Sequence, residues 1–516
     1  MEITFKKNVV VLLSGLTVFC VILLMPLPEG MNESARRMFA IVLLMAIWWV
    51  GEGTSIAVTA LLPLILFPLL GIMPSKQVAS NYANHLIFLF LGGFMIALAI
   101  EKWSFHKRLA LWIINLIGTD PKRIVLGFMI ATAFLSMWIS NTASTMMMFP
   151  VAMAVVRQIA LDASLNGERN TSSQEKITSG LGLVLMLALA YSASIGGVST
   201  PIGTPPNIVF AGLYKKLFPN NHDISFFKWM TLALPVVLVF IPLTWFYLCR
   251  VVSPFPLSQL EGGESEIIRK ELNELGVMSR AEKIVAFVFC LTAFLWIFRR
   301  PIIVGDFVLP GWSGFFEHSE FLHDSTVAMA MGILLLLFPV NGAKGLDLNG
   351  KTEWFVLDWR TVQAKTPWGI LILFGGGFAL AAGFGASGLD QWMSKKLTGV
   401  FDWPLWLTVL VICLVVTFLT ELTSNTATAT MILPILGMAA ISANIHPLFY
   451  MVPATLAASF AFMLPVATPP NAIVFGSGWI SIPKMSQAGL VLNLIGACIV
   501  TTATLLLIKV LLIKSL

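Results

Sequence analysis

A chain of 516 residues with 57% hydrophobic and only 11% charged side chains is not an ordinary soluble domain, where about a quarter of the residues are charged. Its net charge of +6 comes from basic residues scattered among loops, which suits cytoplasmic loops facing anionic lipid and argues against nucleic-acid binding. Composition thus predicts an all-α polytopic membrane protein surrounded by membrane lipid, with room for roughly a dozen crossings of about 20 residues.

In chain order, the first apolar run covers 8–26. Lys6 and Lys7 precede it as in a signal peptide, but no Ala-x-Ala-like cleavage site follows, so residues 1–34 are expected to hold a first transmembrane helix. Helices are predicted near 36–50, 54–73 and 85–101, then an amphipathic stretch from Lys102 to Leu116. A segment from Ile124 to Ile159 holds the polar triplet Ser140-Asn141-Thr142. A crossing over 180–213 holds Thr204-Pro205-Pro206-Asn207, and another helix lies near 228–250.

A polar linker of alternating charge, 253–280, is expected to be cytoplasmic. The order then recurs: helices near 281–298, 324–340 and 367–387, and an amphipathic stretch from Asp390 to Leu397. Next come a segment over 403–443 with Ser424-Asn425-Thr426 and a crossing over 447–478 with Thr468-Pro469-Pro470-Asn471. A final helix is predicted over 486–513, while 300–323 carries no motif. Cys20, Cys249, Cys290, Cys413 and Cys498 sit in apolar runs without paired spacing and are expected to be buried small hydrophobes.

The recurrence holds in register. Asn425 lies 284 residues after Asn141, Pro434 lies 284 after Pro150, and Gly375-Gly376-Gly377-Phe378 lies 284 after Leu91-Gly92-Gly93-Phe94. Asn471 follows Asn207 by 264, because the first half carries extra polar residues near Leu161–Gly180. Gaps confined to loops are what a duplication leaves, so 35–252 and 281–516 are read as two repeats.

Each triplet breaks the middle of a segment long enough for two short helices. A re-entrant hairpin is expected, since irregular backbone at membrane depth is tolerated only against protein or a cavity. About 11 transmembrane helices then remain, with an odd number per repeat, which inverts the second repeat relative to the first. With a cytoplasmic N-terminus, roughly 20 Lys and Arg fall inside and roughly 12 outside, in the sense of the positive-inside rule. Arg36, Arg37, Arg299 and Arg300 fall on the wrong side.

Duplicated helix breaks point to a secondary transporter's substrate site. At each triplet a helix begins, so its free N–H groups and positive dipole end are joined by two hydroxyls and a carboxamide. Two such tips near the midplane would hold an anion with two carboxylate ends. The bland alternative is helix capping, common for Ser and Asn. At the Thr-Pro-Pro-Asn breaks, carbonyls freed around Gly203 and Ala467 can coordinate a small hard cation such as Na⁺, unless the prolines are structural kinks. Glu421 precedes the second triplet, and a local hydrogen-bonding role is favoured over proton coupling because its counterpart is Met137. Glu101, His85 and His323 read as interfacial, and Met146-Met147-Met148 as hairpin packing.

The paired Ser-Asn-Thr and Thr-Pro-Pro-Asn motifs, with Gly-Gly-Phe helices before them, closely resemble the divalent anion/sodium symporters over nearly the whole chain. The resemblance implies an eleven-helix fold with two re-entrant hairpins, a homodimer built on scaffold domains, and elevator-type alternating access. It further implies substrate contacts at Ser140, Asn141, Thr142, Ser424, Asn425, Thr426 and Pro469. A first sodium site would use Ser136, Ser140, Asn141 and Gly203, and a second Thr420, Thr423, Ser424, Asn425 and Ala467. Intact triplets imply a carboxylate substrate.

The expected function is Na⁺-coupled symport of C4-dicarboxylates such as succinate, malate and fumarate. Rivals on the same fold are a Na⁺-independent dicarboxylate exchanger and a transporter of citrate- or sulfate-type anions. A channel would need a continuous pore, and an enzyme a clustered His/Asp/Glu constellation that the sequence does not display. Short loops suggest a bacterial inner (plasma) membrane.

Overall fold

A computed structural model describes residues 2–118, 120–165, 171–221, 223–252, 264–304, 307–340, 354–397 and 403–508. The chain is nearly all helix, and apolar side chains such as Leu13, Leu69, Leu238 and Leu506 stand exposed, as lipid-facing residues of a polytopic protein do. Among the described residues, seven helices are long and apolar enough to cross a membrane. Other expected crossings are shorter apolar helices, and the one expected over 54–73 is two pieces, Ile56–Ala60 and Leu62–Leu69. Helix starts follow local chemistry: Asn84 caps His85–Lys102, and a Ser279–Glu282 capping box opens Arg280–Ile297.

Both triplet segments are helix–break–helix units. The first pairs Pro121–Ser136 with Asn141–Leu165, and the second pairs Leu405–Thr420 with Asn425–Ser442. The Thr-Pro-Pro-Asn segments are broken too. Thr171–Gly197 stops and Pro205–Leu217 resumes, while Leu448–Ala457 stops and Pro469–Phe475 resumes. In each case Pro opens the second piece at a position where its missing N–H costs nothing.

These units are interlocked. Pro205–Leu217 packs on Asn425–Ser442 of the second hairpin, and Pro469–Phe475 packs on Asn141–Leu165 of the first. Thr204 and Ser459, one from each break, bring their hydroxyl oxygens to 3.4 Å. The main hydrophobic core forms around these units.

The matched glycines do matched work. A Cβ at Gly92 would meet the Ala328 backbone at 2.4 Å, and one at Gly376 would meet the Ala60 carbonyl at 2.5 Å. His85–Lys102 thereby packs closely on Asp324–Leu337, and Trp368–Ser387 on Ile56–Ala60, as small residues allow between membrane helices.

The structure corrects the expectation for the cysteines and gives form to the two stretches that carry no motif. Within the 253–280 linker, residues 253–263 lie outside the described residues, and Glu264–Glu274 is a helix of good helix formers. It docks on Phe105–Ile117 through Lys107–Glu271 (2.7 Å), while Arg108 reaches Glu282 and the Leu275 and Gly276 carbonyls just beyond. Cys249 and Cys413 are buried, but Cys20, Cys290 and Cys498 are exposed, because those helix faces carry no protein partner; all five are free. The motif-less 300–323 stretch is a two-stranded ribbon, Ile302–Val304 with Phe307–Leu309, followed by two short 3-10 turns.

The arginines on the unexpected side are engaged. Arg299 is 2% exposed and ion-paired with Asp324, Arg300 lies 3.6 Å from Asp223, Arg36 donates to the Met25 carbonyl, and Arg37 pairs with Glu33. A cation neutralised within the fold weighs little in a charge count between membrane faces.

Candidate functional site

Each hairpin tip is tied by the same pair of side chains. The Ser136 hydroxyl lies 2.6 Å from Asn141 Oδ1 and 2.7 Å from the Ala193 carbonyl. At the corresponding place the Thr420 hydroxyl lies 2.6 Å from Asn425 Oδ1 and 3.0 Å from the Ala458 carbonyl. Each hydroxyl has one proton to donate, and here it is shared between an amide oxygen and a backbone carbonyl.

Around Gly203 the backbone adds more oxygen. A Cβ there would lie 2.3 Å from the Gly197 carbonyl oxygen and 2.8 Å from that of Ser136, so only glycine fits. A Cβ at Gly197 would in turn lie 2.3 Å from Asn141 Oδ1. Ser136, Asn141, Gly197 and Gly203 are thus brought together. Gly197 escaped sequence reading, because no motif marks it. Among the described residues no group of three or more His, Cys, Asp or Glu could hold a metal ion, and the oxygens gathered around Gly203 are all neutral.

The asparagines of the Thr-Pro-Pro-Asn motifs brace the breaks. Asn207 Nδ2 donates to the Val198 (3.2 Å) and Thr200 (2.7 Å) carbonyls, and Asn471 Nδ2 to those of Ala461 (3.1 Å) and Leu464 (2.9 Å). Both Oδ1 atoms are buried and unpartnered.

The repeats differ at Glu421. Its carboxylate accepts the backbone N–H groups of Phe462 (2.7 Å), Met463 (2.9 Å) and Leu464 (3.1 Å), and the Asn493 amide at 2.7 Å. The second break, 458–468, is longer than the first, 198–204, and one carboxylate satisfies its orphaned donors. In the first break, Thr200 instead donates to the carbonyl of Met137, the residue matched to Glu421.

A cavity of about 450 Å³ opens beside the first tip, lined by Ser140, Thr142, Gly203 and Pro205 of the hairpin and break. Apolar residues such as Phe90 and Ile370 complete most of the lining, together with Glu101 and Lys365. Ser140 accepts the Ala143 N–H at 3.2 Å, whereas the Ser424 hydroxyl makes no cap bond, so capping does not explain both triplets.

The second triplet does not line this cavity. Thr426 is 7% exposed, Ser424 and Asn425 are half-buried, and Pro469 is exposed. Thr423 bonds Thr428 and the Leu419 carbonyl, and Ala467 is 8% exposed with its N–H on Leu464. Thr420 and Asn425 are therefore joined directly, while Thr423 and Ala467 have other partners.

Near the cavity mouth, Lys102 pairs with Asp358 at 3.0 Å. Burial raises the Asp358 pKa, but the Thr361 hydroxyl and amide together with Lys102 outweigh it and hold the carboxyl at about 2.

Fold and site together define a polytopic helical membrane protein whose polar chemistry is concentrated at paired chain breaks. Over residues 6–513 the chain matches the family described as the sodium:sulfate symporter transmembrane region, and it belongs to that family. It is 44% identical over 489 residues to the sodium-dependent dicarboxylate transporter SdcS of Staphylococcus saprophyticus, spanning 95% of this chain and 89% of that protein. The protein of the same name from Staphylococcus aureus is 43% identical over the same length and coverage. Among solved structures, the Alcanivorax borkumensis YdaH transporter has a TM-score of 0.53 at 11% identity, covering 83% of this chain and 86% of that one, a likeness of fold alone. The chain is accordingly a multi-pass membrane transport protein.

Proposed function

We propose that the protein is a secondary active transporter, not an enzyme, that couples Na⁺ to the uptake of C4-dicarboxylates such as succinate, malate and fumarate. The observation that carries this reading is the repeated trio of hydroxyl, carboxamide oxygen and backbone carbonyl at the two tips, Ser136–Asn141–Ala193 and Thr420–Asn425–Ala458. Crowded neutral oxygens are an incomplete cation shell, and Na⁺ completes it. The sodium-dependent dicarboxylate transporters, 43–44% identical to this chain, lend the substrate and the coupling ion.

In this reading Na⁺ sits by Ser136, Ser140, Asn141 and Gly203, and again by Thr420, Thr423, Ser424, Asn425 and Ala467. The bound ions fix each tip, and the triplets, with Pro469, then hold the substrate carboxylates. Na⁺ also offsets the dianion's charge, so the loaded unit crosses without burying net negative charge. The two repeats, 35–252 and 281–516, are inverted, and the hairpins and broken helices move as an elevator against a dimeric scaffold. The second triplet closes on the substrate in a conformation other than the one described here.

Succinate uptake into proteoliposomes, with an inward gradient of Na⁺ or of K⁺ or choline and no internal dicarboxylate, tests this reading. Uptake with Na⁺ alone is expected. Uptake indifferent to Na⁺ that requires internal succinate would make the protein an exchanger and remove the Na⁺ assignments.

A further inference from the structure

The cavity beside the first tip has two ionisable lining residues, Glu101 and Lys365, and the rest of its wall offers only the Ser140 and Thr142 hydroxyls and the backbone. Lys365 Nζ lies 3.0 Å from Glu101 Oε1, and the side chains are 44% and 38% exposed, which places the pair at the mouth. Lys365 ends the helix Trp359–Lys365, and Glu101 stands in the last turn of His85–Lys102. The neighbouring ammonium, Lys102, is engaged by Asp358.

We propose that Lys365 is a substrate-binding residue of the cavity mouth, the contact through which a dicarboxylate passes between the Ser140–Thr142 tip and water. Glu101 is the counter-ion that the substrate displaces there. The proposal rests on the dicarboxylate reading above. A dianion moving along an apolar lining loses hydration and needs compensating charge, and among the described residues Lys365 is the one cation that lines the cavity. While the pair is closed the mouth is neutral. A carboxylate arriving from either direction competes with Glu101 for the same ammonium, and the exchange is easy because an exposed ion pair is weak. The anion is thus passed on rather than trapped. The distribution of Lys and Arg makes this face cytoplasmic, so the step is release during uptake.

The test uses the full-length protein in membrane vesicles of both orientations, with succinate KM measured from each face for wild type, Lys365→Gln, Lys365→Arg and Glu101→Gln. Lys365→Gln leaves Glu101 uncompensated and is expected to raise KM on the cavity face by about fivefold or more, with the opposite face within about twofold. Lys365→Arg should stay close to wild type. Glu101→Gln should lower KM on the cavity face and slow net uptake, since release is delayed. Equal KM changes on both faces would overturn the proposal, as would falls in kcat and Tm without any change in KM, leaving the pair a tie between helix ends. Glu101→Gln decides the matter if Lys365→Gln fails to fold. Wild-type uptake reads the substrate assignment separately: should the protein carry sulfate instead of succinate, the dicarboxylate reading falls, and the same comparison is made with sulfate.

Discussion

Asn141 and Asn425 each place one amide oxygen against a hydroxyl at 2.6 Å, so removing either takes away one oxygen of the cation shell proposed above. Asn141→Ala and Asn425→Ala are each expected to cut Na⁺-driven succinate uptake by roughly tenfold or more, the effect of losing about 1.4 kcal/mol. A titration of uptake against Na⁺ should show half-saturation moved upward in both. Glu421 poses a different question. Its carboxylate faces only donors, so Glu421→Gln turns an amide NH₂ toward backbone N–H groups and should cost about 1–3 kcal/mol of stability. Thermal unfolding in detergent would show it as a lower Tm, while a proton-coupling role would instead appear as an altered pH dependence of uptake at unchanged Tm. Asp358 gives a pH window. Its folded pKa, about 2, lies below its ordinary value of 3.8, so its stabilising contribution is complete above about pH 4 and is lost as pH falls through about 2. Asp358→Asn should flatten the pH dependence of Tm in that window.

At the scale of elements, much was legible in advance and some was not. The offset of 284 announced both hairpins, and their breaks fall at 137–140 and 421–424, on the triplets or just before them. Register between repeats is a property of the chain itself, which is why sequence sufficed. The helix Glu264–Glu274 inside the polar linker is not legible in sequence, because the partners it docks on, in Phe105–Ile117, are far away along the chain. Glu421 makes hydrogen bonds, as expected, but its partners Phe462, Met463, Leu464 and Asn493 are not legible in sequence, since only folding sets them around it. Nor could sequence tell that one triplet borders the cavity and the other does not. Close packing at the matched glycines is testable: Gly92→Ala and Gly376→Ala should each cost about 1–3 kcal/mol through overpacking. Gly385→Ala, where nothing lies within 4 Å, should be neutral or slightly stabilising. Comparison of Tm among the three variants checks this.

For the whole molecule, coupling between ion and substrate is a linkage. If Na⁺ builds the tips to which the dianion binds, Na⁺ alone should raise Tm, and succinate should raise it further only when Na⁺ is present. At 100 times Kd each ligand would add about 2.7 kcal/mol. Succinate that stabilises equally in choline would separate the two sites. Neither half is complete alone: each broken helix leans on the other repeat's hairpin, and Thr204 meets Ser459 where the breaks cross.

That crossing has a consequence for biosynthesis. When Pro205–Leu217 leaves the ribosome, the surface it will rest on, Asn425–Ser442, has not yet been made. At about 5–20 residues per second, the wait lasts roughly 10–50 s. Throughout it the polar first break, with Asn207 and Thr204, must sit in the bilayer unsupported or remain sheltered by the insertion machinery. A nascent chain paused before residue 425 should accordingly be open to quality-control proteolysis, and it should gain resistance abruptly, rather than helix by helix, once the second hairpin arrives.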